Sequence, residues 1–168
     1  METNLEARNL SGYSRGSIPR SGMVVADASR CHGCGICELA CSLSHRGACG
    51  PSLASIRVLR DPLAGEFHLE TCRQCAYPSC LLACPFGAIT SDPKTGARVV
   101  DADKCEGCGA CSRACSDDDQ RKMIRSNPQN GEYFKCDLCS RRDRGPVCVE
   151  ACPWGALSYV SANERRET

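Results

Sequence analysis

The 168 residues carry 21 Lys and Arg against 20 Asp and Glu, a net charge of +1 that builds no field for nucleic acid or a membrane surface. One Trp, four Tyr and three Phe make a thin apolar inventory for a chain of single-domain length, and no run approaches transmembrane length. Seventeen cysteines, about one residue in ten, leave either a disulfide scaffold or bound metal to staple so small a core.

Residues 1–22 are polar and contain Ser, Gly, Arg and Pro without periodicity, so a flexible N-terminal arm is expected there. They hold no apolar stretch long enough for a secretory leader and no twin-arginine pair, which makes the cytoplasm the expected compartment. An arm that orders on a partner or on a second copy is the functional alternative. Met23-Val24-Val25-Ala26-Asp27 reads as a short strand leading into a first cysteine run, Cys31-x2-Cys34-x2-Cys37-x3-Cys41. Gly33 and Gly35 flank its middle cysteine, where a residue without Cβ lets amide groups approach sulfur closely. Cys49, the odd cysteine, reads as a small buried hydrophobe, with a replacement ligand or a redox-sensitive thiol as the sharper alternatives. His32, His45 and His68 read as ordinary hydrogen-bonded or exposed histidines rather than proton carriers.

The second run is Cys72-x2-Cys75-x4-Cys80-x3-Cys84, followed by Pro85-Phe86-Gly87-Ala88-Ile89. From Ile89 to Asp101, β-branched residues flank a segment rich in Asp, Pro, Lys, Thr and Gly, which predicts a hairpin. It opens directly into the third run, Cys105-x2-Cys108-x2-Cys111-x3-Cys115, with Gly107 and Gly109 repeating the glycines of the first. Asp117, Asp118 and Asp119 read as a turn or helix start. The fourth run, Cys136-x2-Cys139-x8-Cys148-x3-Cys152, contains Arg141, Arg142 and Arg144 and ends in Pro153-Trp154-Gly155-Ala156-Leu157, matching the close of the second. Those arginines suit either partner docking or a solvated loop.

An odd cysteine count, dense C-x-x-C runs and a reducing compartment argue for metal over disulfides. Zinc ribbons use two C-x-x-C pairs a dozen or more residues apart. Thiols at i, i+3 and i+6 with a fourth after them suit instead a 4Fe–4S cluster, whose fourth ligand comes from the neighbouring run in two-cluster ferredoxins. The fourth run, taken alone, also fits zinc. Four runs predict four 4Fe–4S clusters, with folding coupled to their insertion.

The hairpin joins runs two and three into one unit. Runs one and four are then left to pair, with their flanking strand-like segments forming a terminal β-ribbon. The expected fold class is α+β: two bacterial-ferredoxin-like two-cluster modules, one nested inside the other, with short helices, β-hairpins and long loops. The outer module takes 23–65 and 116–162, the inner module 66–115, and 163–168 form a tail. Crossing the fourth cysteines gives Cys31, Cys34, Cys37 and Cys152 as one ligand set and Cys136, Cys139, Cys148 and Cys41 as a second. Cys72, Cys75, Cys80 and Cys115 make a third, and Cys105, Cys108, Cys111 and Cys84 a fourth. Sequential pairing, run one with two and three with four, is the rival.

With its four runs, the Cys-Pro-x-Gly-Ala endings and Lys135-Cys136-Asp137-Leu138-Cys139, the chain resembles the four-cluster ferredoxin subunits of molybdenum and tungsten enzyme complexes over roughly residues 23–160. Cys37-Glu38-Leu39-Ala40-Cys41-Ser42, His45 and Pro51 to Val58 look most like the small subunit of tungsten aldehyde oxidoreductases. It departs from that pattern at Cys49 and in the Arg-rich loop. The resemblance implies a tungsten or molybdenum pterin catalytic subunit as electron donor and, in some complexes, a flavin subunit linked to NAD. Formate dehydrogenase, hydrogenase and sulfur-compound reductase complexes use similar subunits.

No nucleophile–base pair, phosphate loop or open metal site stands out, so the expected role is electron relay without catalysis. A free electron carrier and a zinc-dependent structural adaptor are the alternatives. Cluster pairs at both ends also suit end-to-end association of copies.

Overall fold

Short β-branched segments at opposite ends of the chain find each other. In the computed structural model, which describes residues 18–115 and 123–165, β1 (Met23–Ala26) pairs antiparallel with β8 (Leu157–Val160), Val24 opposite Tyr159 and Ala26 opposite Leu157. The expected hairpin forms between β4 (Ile89–Ser91) and β5 (Arg98–Val100). Its turn is closed by the Asp92 carboxylate, which accepts from the amides of Lys94 and Thr95 at 3.1 and 2.7 Å. Most of the N-terminal arm (residues 1–17), the run Asp117–Asp119 and the last three residues lie outside the described residues.

The order of elements occurs twice. After β1, Asp27 caps a 3₁₀ turn (Ala28–Arg30), run one follows, and Gly35 starts α1 (Ile36–Arg46). After β5, Asp101 caps a 3₁₀ turn (Ala102–Lys104), run three follows, and Gly109 starts α3 (Ala110–Ala114). Each copy continues through a hairpin, β2 (Arg57–Asp61) with β3 (Glu66–Glu70) and β6 (Arg125–Ser126) with β7 (Tyr133–Phe134). Each then reaches a short helix opened by a proline, α2 (Ser79–Leu82) after Pro78 and α4 (Val147–Ala151) after Pro146, and a closing strand, β4 or β8. The first strand of either copy pairs with the last strand of the other, β1 with β8 and β5 with β4. Helices follow the same exchange, with α1 packed on α4 and α2 on α3.

Hairpins β2–β3 and β6–β7 go beyond the sequence reading. In β2–β3 the pattern is obscured by charge: Arg57, Arg60, Asp61, Glu66 and Glu70 occupy strand positions, Val58 and Leu69 join the apolar core, and Phe67 lies against Gly33 of run one. The pair β6–β7 has two residues in each strand, too short for any period to register. Apolar burial splits into two clusters. Val24, Ala54, Ile56, Val58, Leu138 and Leu157 gather around Cys37, Cys41 and Cys148; Leu81, Ile89 and Ile124 gather around Cys111. Thiols are therefore part of both cores, as a chain poor in aromatic residues requires.

Candidate metal centres

The cysteines fall into four groups in space. Cys31, Cys34 and Cys37 share a cavity with Cys152, roofed by His32 and Trp154, whose ring centroids lie 4.2 Å apart. In the other copy, Cys105, Cys108 and Cys111 share a cavity with Cys84, beside Phe86 and Tyr133. Cys72, Cys75 and Cys80 line a third cavity with Cys115, Arg98 and Lys135. Cys148 faces Cys136, Cys41 and Cys139, and behind them Cys37. Each group is named below by its lowest-numbered member of the run that supplies three thiols: the Cys31, Cys72, Cys105 and Cys136 groups.

Local folding explains how four thiols converge. At Gly35 the backbone takes φ 76°, a left-handed turn that L side chains rarely adopt, and swings Cys34 and Cys37 to one side. A Cβ there would sit 2.7 Å from Arg60 Nη2, so the glycine also admits the β2 side chain that covers the run. Arg60 donates through Nε to Gly33 O at 3.0 Å and lies 3.5 Å from Glu38 Oε2, while Glu38 Oε1 accepts from Val58 N at 3.1 Å. Hairpin β2–β3 is thus clamped over run one. Gln74 and Leu138, each two residues beyond the first cysteine of its run, hold positive φ of 48° and 57° and turn the second and fourth runs alike.

Backbone amides aim at sulfur in several places. Ser55 N lies 3.3 Å from Cys41 Sγ, Ala88 N 3.3 Å from Cys84 Sγ, Val147 N 3.4 Å from Cys139 Sγ and Gly33 N 3.5 Å from Cys31 Sγ. Burial pushes the Cys37 thiol up to about 12, helped by Glu38 and the facing Cys34 and Cys152. Burial likewise lifts Cys80 to about 12 and Cys111 to about 11, with the other three members of each group adding to the rise. Cys136 and Cys148 are driven higher still, again chiefly by burial. Four such sulfurs become thiolates together only around a cationic core. Cys41 runs the other way: burial opposes it, yet hydrogen bonds from His45 and the Ser55 amide outweigh burial and hold the thiol low.

Arg98 supplies a further test of fit. Its side chain is 1 % exposed and lines the Cys72 cavity, and its Nε has no hydrogen-bond partner. A buried guanidinium N–H without a partner, on a side chain that lines a cavity of four thiols, fits an acceptor-rich sulfur core in that space. The donor sets therefore suit 4Fe–4S clusters, for which the sixteen cysteines would be the ligands.

Other residues singled out in the sequence take varied places. Cys49 is exposed, which corrects its reading as a buried hydrophobe. Gly47 (φ 68°) ends α1, and Cys49 rides the crest of the loop that follows before Gly50 N returns to Ser42 Oγ at 3.0 Å. His68 is exposed beside Glu66. His45 is more than an ordinary histidine. Its Nδ1 lies 2.9 Å from Cys41 O and its Nε2 3.0 Å from Asp137 Oδ1, tying α1 to run four. Bonds to Asp137, Cys139 and Cys41 hold this imidazole protonated well above its ordinary range. In the Arg-rich loop, Arg142 and Arg144 each meet Glu150 at 2.9 Å, so both are engaged within their own run.

Sequence reasoning missed Gln74 and Arg98 and gave Lys135 no role beyond its place in the Lys135-Cys136 motif. Gln74 is 1 % exposed; its Nε2 donates to Cys136 O at 2.7 Å and its Oε1 accepts from Arg98 N at 2.9 Å. Lys135 is buried, and its Nζ donates to Arg98 O at 2.7 Å and Cys136 O at 2.8 Å. Aligning the two copies would have exposed these residues, since Lys135 stands where Thr71 does and Arg98 where Val24 does.

Comparison with known proteins adds the following. The 4Fe–4S dicluster domain family matches residues 63–162. The chain is 39% identical over 145 residues to the polyferredoxin-like subunit of aliphatic sulfonate oxidoreductase from Pyrococcus furiosus, covering 84% of this chain and 79% of that one. It is 34% identical over 157 residues to the electron transport protein HydN of Escherichia coli, covering 84% and 89%. It is also 36% identical over 140 residues to subunit beta of NADH-dependent phenylglyoxylate dehydrogenase from Aromatoleum evansii, covering 82% of this chain but 30% of that one.

Proposed function

Since the chain belongs to the 4Fe–4S dicluster domain family, we propose that it is the electron-transfer subunit of an oxidoreductase complex and holds one 4Fe–4S cluster in each of its four thiol groups. When bound, such a cluster accepts and releases a single electron. The protein's own contribution is to position sulfur, aim amides at it and keep water away. The observation that carries the proposal is the convergence of thiols from exchanged runs: Cys152 joins the Cys31 group, Cys41 the Cys136 group, Cys115 the Cys72 group and Cys84 the Cys105 group. Strand pairing β1–β8 and the packing of α1 on α4 support an outer module of 23–65 and 116–162 around an inner module of 66–115.

The partner we propose is a tungsten or molybdenum pterin subunit that oxidises an aldehyde, with a flavin/NAD subunit or a ferredoxin as acceptor, in the cytoplasm. Similarity to the sulfonate oxidoreductase subunit favours a second reading, in which the partner acts on a sulfur compound. Among the described residues no helix is long and apolar enough to cross a membrane.

The test is anaerobic purification of the native complex, with iron and sulfide analysis. About sixteen irons per copy are expected, together with a pterin-containing subunit that reduces these clusters when given aldehyde. Reduction by an aliphatic sulfonate and not by aldehydes would select the second reading. A chain with two zinc ions and no iron would end both. Sizing of the same preparation tests end-to-end association, which is expected to raise the particle mass with concentration.

A further inference from the structure

The Cys72 and Cys136 groups adjoin through Gln74, Lys135 and the field of Cys72 on Cys136, with Cys37 of the Cys31 group acting on Cys148 beyond them. This central pair is related by the internal repeat, yet its members differ in the charge around them. Thr71 Oγ1 donates to Val24 O at 2.9 Å; at the equivalent place in the other copy Lys135 Nζ donates to Arg98 O at 2.7 Å. A neutral pair in one copy is thus a pair of cations in the other. Gln74, which contacts both Cys136 O and Arg98 N, stands where the other copy has Leu138. Both cations are buried, and among the described residues neither pairs with a carboxylate. Arg98 directs its remaining donors to Cys75 O at 3.0 Å and to Gly96 O, leaving Nε without a hydrogen-bond partner.

With no carboxylate to answer them, these charges face sulfur. Arg98 lies in the field of Cys80, Cys75 and Cys72, thiols of the Cys72 group alone, whereas Lys135 lies in the field of Cys72 and Cys80 and also of Cys136. Arg165, which donates to Gln74 O at 2.8 Å, adds a third cation nearby. The Cys136 group has two neighbouring cations of its own, His45 and Arg142, the latter bonded to Cys139, and each is answered by a carboxylate, Asp137 at 3.0 Å and Glu150 at 2.9 Å.

We propose that Arg98 and Lys135 make the cluster of the Cys72 group the more oxidising of the central pair, so that an electron crossing between the two modules settles there. The proposal rests on the four-cluster reading above. A cluster gains one negative charge on reduction, and a buried cation without a counter-ion stabilises that charge more than solvent does. The step is a plain transfer: the cluster of the Cys136 group loses one electron and is oxidised, that of the Cys72 group gains it and is reduced. No proton or co-reactant takes part. Arg98 and Lys135 are positioning and tuning residues, not ligands.

The test is a redox titration of the full chain with its clusters, followed by electron paramagnetic resonance. Cys75→Ser identifies the signal of the Cys72 group. Arg98→Met is expected to lower the reduction equilibrium constant of that cluster about tenfold, about 59 mV for one electron, and to leave the other three within about threefold. Lys135→Met is expected to lower the same cluster and, to a smaller extent, that of the Cys136 group. Arg98→Lys and Lys135→Arg should restore the wild-type values. Arg165→Ala leaves both buried cations in place and is expected to give a smaller fall, about twofold, in the same cluster, so that the proposal remains testable where a methionine variant fails to fold. With about sixteen irons retained, unchanged potentials or an equal shift of all four would overturn the inference and leave the four-cluster reading standing. A Cys75→Ser chain with the same signals and iron content as the wild type would overturn both.

Discussion

At the scale of single residues, the chain shows how little separates a ligand from its surroundings. Gly35 and Gly109 share a left-handed φ, 76° and 72°, and each lies under a side chain, Arg60 Nη2 in one copy and Tyr133 Oη in the other. Gly35→Ala is expected to cost about 1–2 kcal/mol from the left-handed backbone alone, and more from displacing Arg60. An earlier midpoint for bleaching of the visible cluster absorbance in denaturant would register it. Glu38 is a buried carboxylate beside Cys37 and offers a charge test of opposite sign to Arg98. Glu38→Gln keeps the bond from Val58 N and removes a negative charge, so the cluster of the Cys31 group is expected to become severalfold easier to reduce, read by the same titration. Cys49→Ser is expected to leave iron content and spectrum unchanged, because the thiol is exposed and lines none of the three cysteine cavities among the described residues. The grouping of the cysteines was legible because spacing is local and thiols are rare. Arg98 and Gln74 were not, nor was what Lys135 does, because nothing in a single run shows which cation or amide folds inward across 62 or 37 residues of chain.

At the scale of elements, the pieces visible in advance were those whose chemistry is unambiguous over a few residues. The β4–β5 hairpin announced itself through Ile89, Thr90, Val99 and Val100 around an Asp-Pro-Lys-Thr-Gly turn. The β1–β8 ribbon followed by elimination, since each segment lacked a neighbour in sequence. Hairpin β2–β3 was hidden because its outer positions are charged and its turn, closed by Asp61 on Leu63 N and Ala64 N, carries the apolar Leu63 at its tip. The ribbon also offers a measurable load. Leu157, 4 % exposed and packed in the first core cluster, lies opposite Ala26. Leu157→Ala is expected to cost about 2–4 kcal/mol. The visible bands of the Cys31 and Cys136 groups are expected to bleach first, because their runs flank this ribbon, with the Cys72 and Cys105 groups outlasting them.

At the scale of the whole molecule, cores built partly from thiols mean that stability and cofactor content are one quantity. Removing iron with a chelator under anaerobic conditions is expected to abolish most far-ultraviolet circular dichroism, and iron with sulfide to restore it. Burial drives this coupling: the lifted thiols of Cys37, Cys80 and Cys111 are compatible with their positions as neutral groups or around a metal core, but not as bare thiolates.

The exchange of strands between the two copies also has a consequence in time. The ribosome delivers Cys31, Cys34 and Cys37 long before Cys152, and β1 long before β8. The Cys105 group, which needs only Cys84 from behind it, is complete as soon as Cys111 emerges, and the Cys72 group once Cys115 does. The oldest thiols of the chain therefore wait longest, open and oxidisable, for a partner made near the end of synthesis. Maturation of this protein is expected to run from the middle outward.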